Sequence, residues 1–408
     1  MSYVLRCINC GRTFSPDEVE YTCPYCGDRK GTLEVVYDFE NIKASREEFS
    51  PEADMFQFRK LLPLRKGFYK PPLKVGGTPL YEFPSVAEKL GISRFLVKYD
   101  GTNPTASYKD RASAMAIAKA VEKGYEVIYA ASTGNAASSL AGLTAPTHLK
   151  SVIFVPASAP KPKLLQILVY GAILVPIDAS YDVAFDLSME IGREMGWYSR
   201  NSAINPYLLE GKKTGAMEIA VQTDWELPDY VFVGVGDGTV VSSLFKGFYD
   251  MWKVGLVDRV PKIVGVQAEG ADFVKRVFDK GEPFEPEDGE AKSVADSIAV
   301  GKPRDVIKAC KYVKRSGGFF ISVTDEEILD AQLELASDTG VFAEPAGAAP
   351  YAGLKKAIRE GRVERGASVA IVVTGSGLKD PRSIESHFDI TPLSPEKESI
   401  MEYLRKEL

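Results

Sequence analysis

Histidine is nearly missing from this chain: its 408 residues include two, His148 and His387, in unrelated surroundings. A Ser-His-Asp hydrolase or a histidine-rich catalytic metal centre would need one of them in a recognisable motif, and neither stands in one. Both read as structural residues. Asp and Glu number 56 but show no paired-carboxylate signature, so hydrolytic acid/base chemistry gains no support. No apolar run approaches the ~20 residues needed to span a bilayer. The opening Met1-Ser-Tyr-Val-Leu-Arg6 lacks the apolar core of a secretory signal. Positive charge is not in excess either. The net charge of −6 argues against nucleic acid as the main partner and against adsorption to anionic membranes. These absences lead us to expect a soluble, cytoplasmic protein whose difficult chemistry is supplied by a cofactor.

Cysteine is scarce but unevenly placed. Four of the five cysteines form Cys7-Ile-Asn-Cys10 and Cys23-Pro-Tyr-Cys26, two CxxC pairs able to direct four thiolates at one tetrahedral zinc. Gly11 and Gly27 follow the pairs and suit tight turns that aim backbone amides at sulfur. Disulfides are the competing reading, and they need an oxidising compartment. With no histidine or carboxylate in the set, a zinc here would be closed and structural. Cys310 stands alone and reads as a small buried residue.

At 408 residues, 45% apolar and 26% charged, the chain is long enough for two or more lobes. Strands are predicted at 32–37, 95–99, 127–131, 152–155, 172–176, 230–235, 263–267 and 369–374. From Glu126 onward they alternate with helical stretches, as a doubly wound parallel sheet requires. Ligands of such sheets gather at the carboxyl ends of strands.

Three small-residue loops lie at such ends. Ser132-Thr-Gly-Asn135 precedes a helical stretch, and is either a helix cap or a site where helix amides hold a carboxylate. Gly234-Val-Gly-Asp-Gly-Thr239 has the glycines of a phosphate cradle, although Asp237 must turn away from a bound phosphate; a plain glycine turn is the alternative. Val373-Thr-Gly-Ser-Gly-Leu-Lys379-Asp-Pro381 is the third.

The most informative segment is Asp100-Gly-Thr-Asn-Pro-Thr-Ala-Ser-Tyr-Lys109-Asp-Arg111. It carries Lys109 from a strand through a tight polar loop to the start of an apolar helix. Partial burial near Arg111 and a helix N-terminus would lower the pKa of this amine enough for Schiff-base chemistry. An ordinary solvated lysine in a first helical turn is the alternative.

This segment resembles the lysine motif of the fold-type II enzymes that use pyridoxal 5'-phosphate (PLP). Ser107-Tyr-Lys-Asp-Arg111 is most similar to the version in threonine synthases, with Tyr108 where most carry Phe. Gly76-Gly-Thr-Pro-Leu80 resembles their G-x-T-P-L element, Leu209-Glu-Gly-Lys-Lys-Thr214 their L-E-G-x-K-T, and Glu344-Pro-Ala-Gly-Ala-Ala349 their E-P-A-x-A-A. The chain departs from that pattern at Ala136-Ala137, Asp237 and Ser376. A zinc ribbon is also appended to many such enzymes.

The resemblance implies a tryptophan synthase β-like fold with two doubly wound parallel-sheet domains and an N-terminal zinc ribbon. The division expected is ribbon 1–37, arm and start of the large domain 38–109, smaller α/β domain 110–205, and the rest of the large domain with a C-terminal helix 206–408. It implies that Lys109 anchors PLP covalently and acts as base. Asn135, Gly234, Gly236, Gly238, Thr239 and Thr374 would hold the cofactor, with Thr374 against the pyridine nitrogen. Ser132 and Thr133 would hold the substrate carboxylate, and Arg111, Lys161 and Lys163 are candidates for its phosphate, the two lysines being equally readable as surface charge.

The reaction implied converts O-phospho-L-homoserine and water to L-threonine and phosphate, in a homodimer. A serine/threonine dehydratase and a phosphoserine-using β-replacement enzyme would keep the same lysine and loops. From a different class, the chain could be a zinc-ribbon binding module on a catalytically inactive scaffold.

Overall fold

Segments such as Tyr230-Val-Phe-Val-Gly234 are apolar at every position because both faces of the parallel sheet they enter are covered. The computed structural model describes residues 3–388 and 390–408. It contains a six-stranded sheet in the order Phe319–Val323, Lys262–Ala268, Tyr230–Gly234, Ser368–Val373, Arg94–Tyr99 and Leu80–Glu82. All its neighbours are parallel except Leu80–Glu82, an antiparallel edge. A second, all-parallel sheet runs Ile173–Ile177, Lys150–Pro156, Val127–Ala131 and Tyr198–Ser199. The predicted strands are all present, with ends within two residues of those expected. Strands Phe319–Val323, Leu80–Glu82 and Tyr198–Ser199 were not predicted: the first alternates poorly and the others are too short to show a period.

The chain's front forms a third sheet, Thr13–Phe14, Tyr3–Cys7 and Leu33–Tyr37, all antiparallel. It is docked onto the rest by buried and part-buried polar contacts. The Tyr37 hydroxyl meets Glu210, Lys311 Nζ donates to the Ile8 carbonyl at 2.6 Å, and Arg29 donates to the Pro303 carbonyl at 2.7 Å.

Helix Lys109–Glu122 begins where the Asp100–Arg111 loop ends and is buried along nearly its whole length. Its small residues Ala112, Ala114, Ala116 and Ala118 let neighbouring helices approach closely. A Cβ added at Gly211 would lie 2.2 Å from the Arg111 carbonyl oxygen, so the helix Tyr207–Lys212 can cross there only with glycine. Two networks of buried charge brace this region. Arg111 binds Asp100 at 2.6 and 2.9 Å and Glu218 at 2.5 and 2.7 Å, and Lys98 joins Glu218 at 2.7 Å. Lys213 meets Glu210 and Asp250, and Lys246 joins Asp250 at 2.6 Å. The Gly76-Gly-Thr-Pro-Leu80 element belongs to the first network: Thr78 Oγ1 donates to Asp100 at 2.7 Å.

Candidate active site

The loop that delivers Lys109 is stitched to the loop after strand Ser368–Val373. Tyr108 N donates to the Thr374 carbonyl at 2.8 Å, and Ser376 N to the Ala106 carbonyl at 3.1 Å. Ala106 is held at φ 61°, a region that costs a non-glycine residue energy and persists only where surrounding contacts impose it. One of the three strand-end loops therefore meets the Lys109 loop directly. The other two line the same cavity, through Gly234–Thr239 and through Asn135 at the start of helix Asn135–Thr144. Thr374 lines it as well. An adjoining cleft of about 370 Å³ is lined by Lys109, Ser132, Thr133, Arg200 and Arg304.

Lys109 is half-buried, and its amine has no hydrogen bond or ion pair among the described residues. Burial pushes this amine below its ordinary range, and the Arg200 guanidinium pushes it further, against smaller opposing effects of Asp237 and Glu344. Arg200 is fully buried and donates to Ser113 Oγ at 3.0 Å, to Ser202 Oγ at 3.4 Å and to the Lys109 carbonyl at 3.4 Å. No carboxylate pairs with it among the described residues, and burial brings its pKa down to about 10. Glu344, the residue before helix Pro345–Arg359, is buried with its carboxylate 2.9 Å from Asn135 Nδ2 through either oxygen. Burial raises its pKa, opposed first by the Asn135 hydrogen bond.

The glycine loop has the shape of a cradle. Gly238 has φ 95° and is the N-cap of helix Thr239–Lys253; a Cβ at Gly234 would lie 2.7 Å from the Ala346 carbonyl oxygen. The Thr239 hydroxyl is buried with no protein partner. Asp237 is turned toward the backbone of the next lobe segment, accepting from Arg304 N at 3.4 Å. Unmet helix N–H groups, an orphaned hydroxyl and close backbone approach make an anion site, and its residues fit the phosphate of PLP.

Not every sequence candidate reaches the cleft. Arg111 does not: its guanidinium is fully buried and satisfied by Asp100, Glu218, Thr78 and Thr214, so it is a structural cation and not a substrate contact. The pKa-lowering neighbour of Lys109 is Arg200, whose effect is visible where that of Arg111 is not. Lys161 is exposed and lines no part of the cleft, whereas Lys163 pairs with Asp296 at the edge of a small cavity shared with Thr133 and Glu344. Both histidines are exposed, and neither lines these cavities. Sequence reasoning missed Arg200, Ser202, Lys212 and Ser297. Arg200 and Ser202 lie in a short polar segment and Ser297 in the 3-10 turn Asp296–Ile298, all too short to show a period; Lys212 was visible only as the variable position inside Leu209–Thr214.

The four front cysteines converge: Cys7, Cys10, Cys23 and Cys26 place their sulfurs within 4.8 Å of one another. Gly11 and Gly27 take φ 74° and 67° after the pairs, and Asn9 Nδ2 donates to Cys26 Sγ at 3.6 Å. Four thiols at this spacing suit a tetrahedral metal.

Comparison with known proteins places this geometry. Residues 72–375 match the family described as pyridoxal-phosphate dependent enzyme. A threonine synthase from Methanocaldococcus jannaschii is 39% identical over 92% of this chain and 93% of that protein. One from Methanosarcina acetivorans is 39% identical over 94% of this chain and 93% of its own. Maize serine racemase superposes with a TM-score of 0.66 at 20% identity, over 82% of this chain and 97% of that one, a likeness of fold. The chain belongs to the family of pyridoxal-phosphate-dependent enzymes that includes the threonine synthases.

Proposed function

We propose that this chain is a threonine synthase acting on O-phospho-L-homoserine, with Lys109 as the covalent anchor and base. The observation that carries the reading is the unpartnered amine of Lys109 at the meeting point of three strand-end loops, in a chain 39% identical to threonine synthases along most of its length. When bound, PLP holds the substrate amine and withdraws electrons from its α-carbon. Lys109, whose amine burial and Arg200 make readier to give up its proton, takes the proton from substrate Cα and serves proton transfer at Cβ. Ser132 and Thr133, at the N-terminal end of helix Asn135–Thr144, bind the substrate carboxylate with loop amides and hydroxyls. The Asn135 amide and the Thr374 hydroxyl orient the ring, and Gly234, Gly236, Gly238 and Thr239 hold the cofactor's phosphate.

The leaving phosphate needs cations. Arg200 takes the part expected of Arg111, because it lines the cleft and no carboxylate among the described residues forms an ion pair with it. Lys163 and Arg304 are more weakly placed, since acidic side chains already face them. We assign zinc to the four cysteines as a closed structural site, with no role in the reaction.

A phosphate-release assay comparing phosphohomoserine, phosphoserine, threonine and serine tests the assignment. Phosphate and threonine should appear together, from phosphohomoserine alone. A keto acid from threonine, or phosphate from phosphoserine, would move the chain to a sister activity.

A further inference from the structure

Lys212 is 1% exposed, lines the cavity with Lys109 and the Gly234–Thr239 loop, and its ammonium has no hydrogen bond or ion pair among the described residues. A buried amine without a protein partner must either give up its proton or find a partner outside the chain, and one that lines a cavity is placed for the second. The protein offers little. Asp237 accepts from Arg304 N at 3.4 Å, Asp305 lies 3.0 Å from Lys308 with its oxygens otherwise without hydrogen-bond partners, and neither carboxylate is within ion-pair distance of Lys212. Burial first, then Lys109 and Arg200, push the Lys212 ammonium well below its ordinary range, against Asp237 and Asp305. Around the same cavity stand an orphaned Thr239 hydroxyl and the N-terminus of the 15-residue helix Thr239–Lys253, which is open to an anion.

We propose that Lys212 is the charge partner of the cofactor's phosphate, its ammonium donating to one phosphate oxygen while the helix N–H groups and the Thr239 hydroxyl take others. This rests on the PLP reading above. It separates two anion sites by their cations. Lys212 serves the cofactor phosphate; Arg200 lines the adjoining cleft, to which Lys212 does not contribute, and serves the substrate's.

The test compares PLP with pyridoxal, which lacks the phosphate. Protein stripped with hydroxylamine is titrated with each ligand in wild type, K212M and K212R, read by visible absorbance and protein fluorescence. K212M should weaken PLP about 10- to 100-fold while changing pyridoxal affinity less than about threefold, and K212R should recover most of the loss. Inorganic phosphate should compete with PLP in wild type and much less in K212M. Equal losses for PLP and pyridoxal, or an unchanged PLP affinity, would overturn the inference. K212Q, which removes the charge and keeps a polar head, gives the same readout if K212M does not fold. Wild type that takes up neither ligand would overturn the cofactor reading, and this inference with it, whereas normal PLP uptake with an unaltered K212M overturns this inference alone.

Discussion

Lys212 and Lys213 are adjacent in the chain and equally buried, yet their surroundings differ completely. Lys213 meets Glu210 and Asp250 within a network that Lys246 and Tyr37 complete. Lys212 meets no protein group among the described residues and lines the cavity that holds Lys109. Arg111 and Lys109 repeat the contrast two residues apart: one fully paired, one unpaired. In this molecule the buried cations with carboxylates around them brace the scaffold, and the cations without them are the ones we propose meet a ligand's charge or carbonyl.

The largest expected effect comes from the unpaired side. K109A should lower turnover by at least about 10³-fold and leave no pyridoxyl peptide at position 109 after borohydride reduction, while the thermal midpoint moves little. Substantial activity in that variant, or a pyridoxyl group mapped to Lys212, would reverse the roles assigned to the two lysines.

On the paired side the damage should fall on stability. R111M strands Asp100 and leaves Glu218 with Lys98 alone, and K213M leaves Glu210 with Tyr37 and Asp250 with Lys246; each should cost about 3–5 kcal/mol in chemical denaturation. K212M in cofactor-free protein should cost nothing or stabilise. A stable R111M with a raised KM would restore the sequence-based reading of Arg111 as a substrate contact.

A smaller effect is expected at the front of the chain. Purified protein should carry one zinc per chain, and C10S should lose it and melt at lower temperature while the folded fraction keeps its turnover. Metal analysis beside a melting curve decides this. An undiminished zinc content in C10S would remove the four-thiolate assignment.

The smallest is a pH effect. In the cofactor-free fold Lys212 sits well below 10.5, whereas in the unfolded chain it keeps its proton up to about that value. Between the two values the unfolded state binds more protons, so raising the pH there stabilises the fold. The advantage of K212M over wild type should therefore shrink as pH rises toward 10.5 in melting experiments. A constant gap would mean that Lys212 finds a protein partner.

The parts of the fold that could be read from sequence were those with dense local signal. Val127–Ala131 and Tyr230–Gly234 are continuous apolar strands, and the glycines after each CxxC pair announced the turns that the structure contains. Arg111 misled for a local reason: its closeness in sequence to Lys109 suggested a shared site. The helix turns its side chain instead toward Asp100 and Glu218, and Glu218 lies 107 residues further along the chain. Arg200 was invisible for the opposite reason, since it belongs to a short strand-end segment and meets Lys109 across 91 residues.

The amino-acid sequence by itself determined that Lys109 stands at a strand-to-helix loop, the order of the strand-end loops and the four-cysteine front, because each depends on residues close together in the chain whose chemistry or turn geometry is local. Only the tertiary structure decided which buried cations are neutralised. Pairing depends on carboxylates brought from distant elements, and in a low-dielectric interior a few ångströms separate a structural ion pair from a charge left open for a ligand.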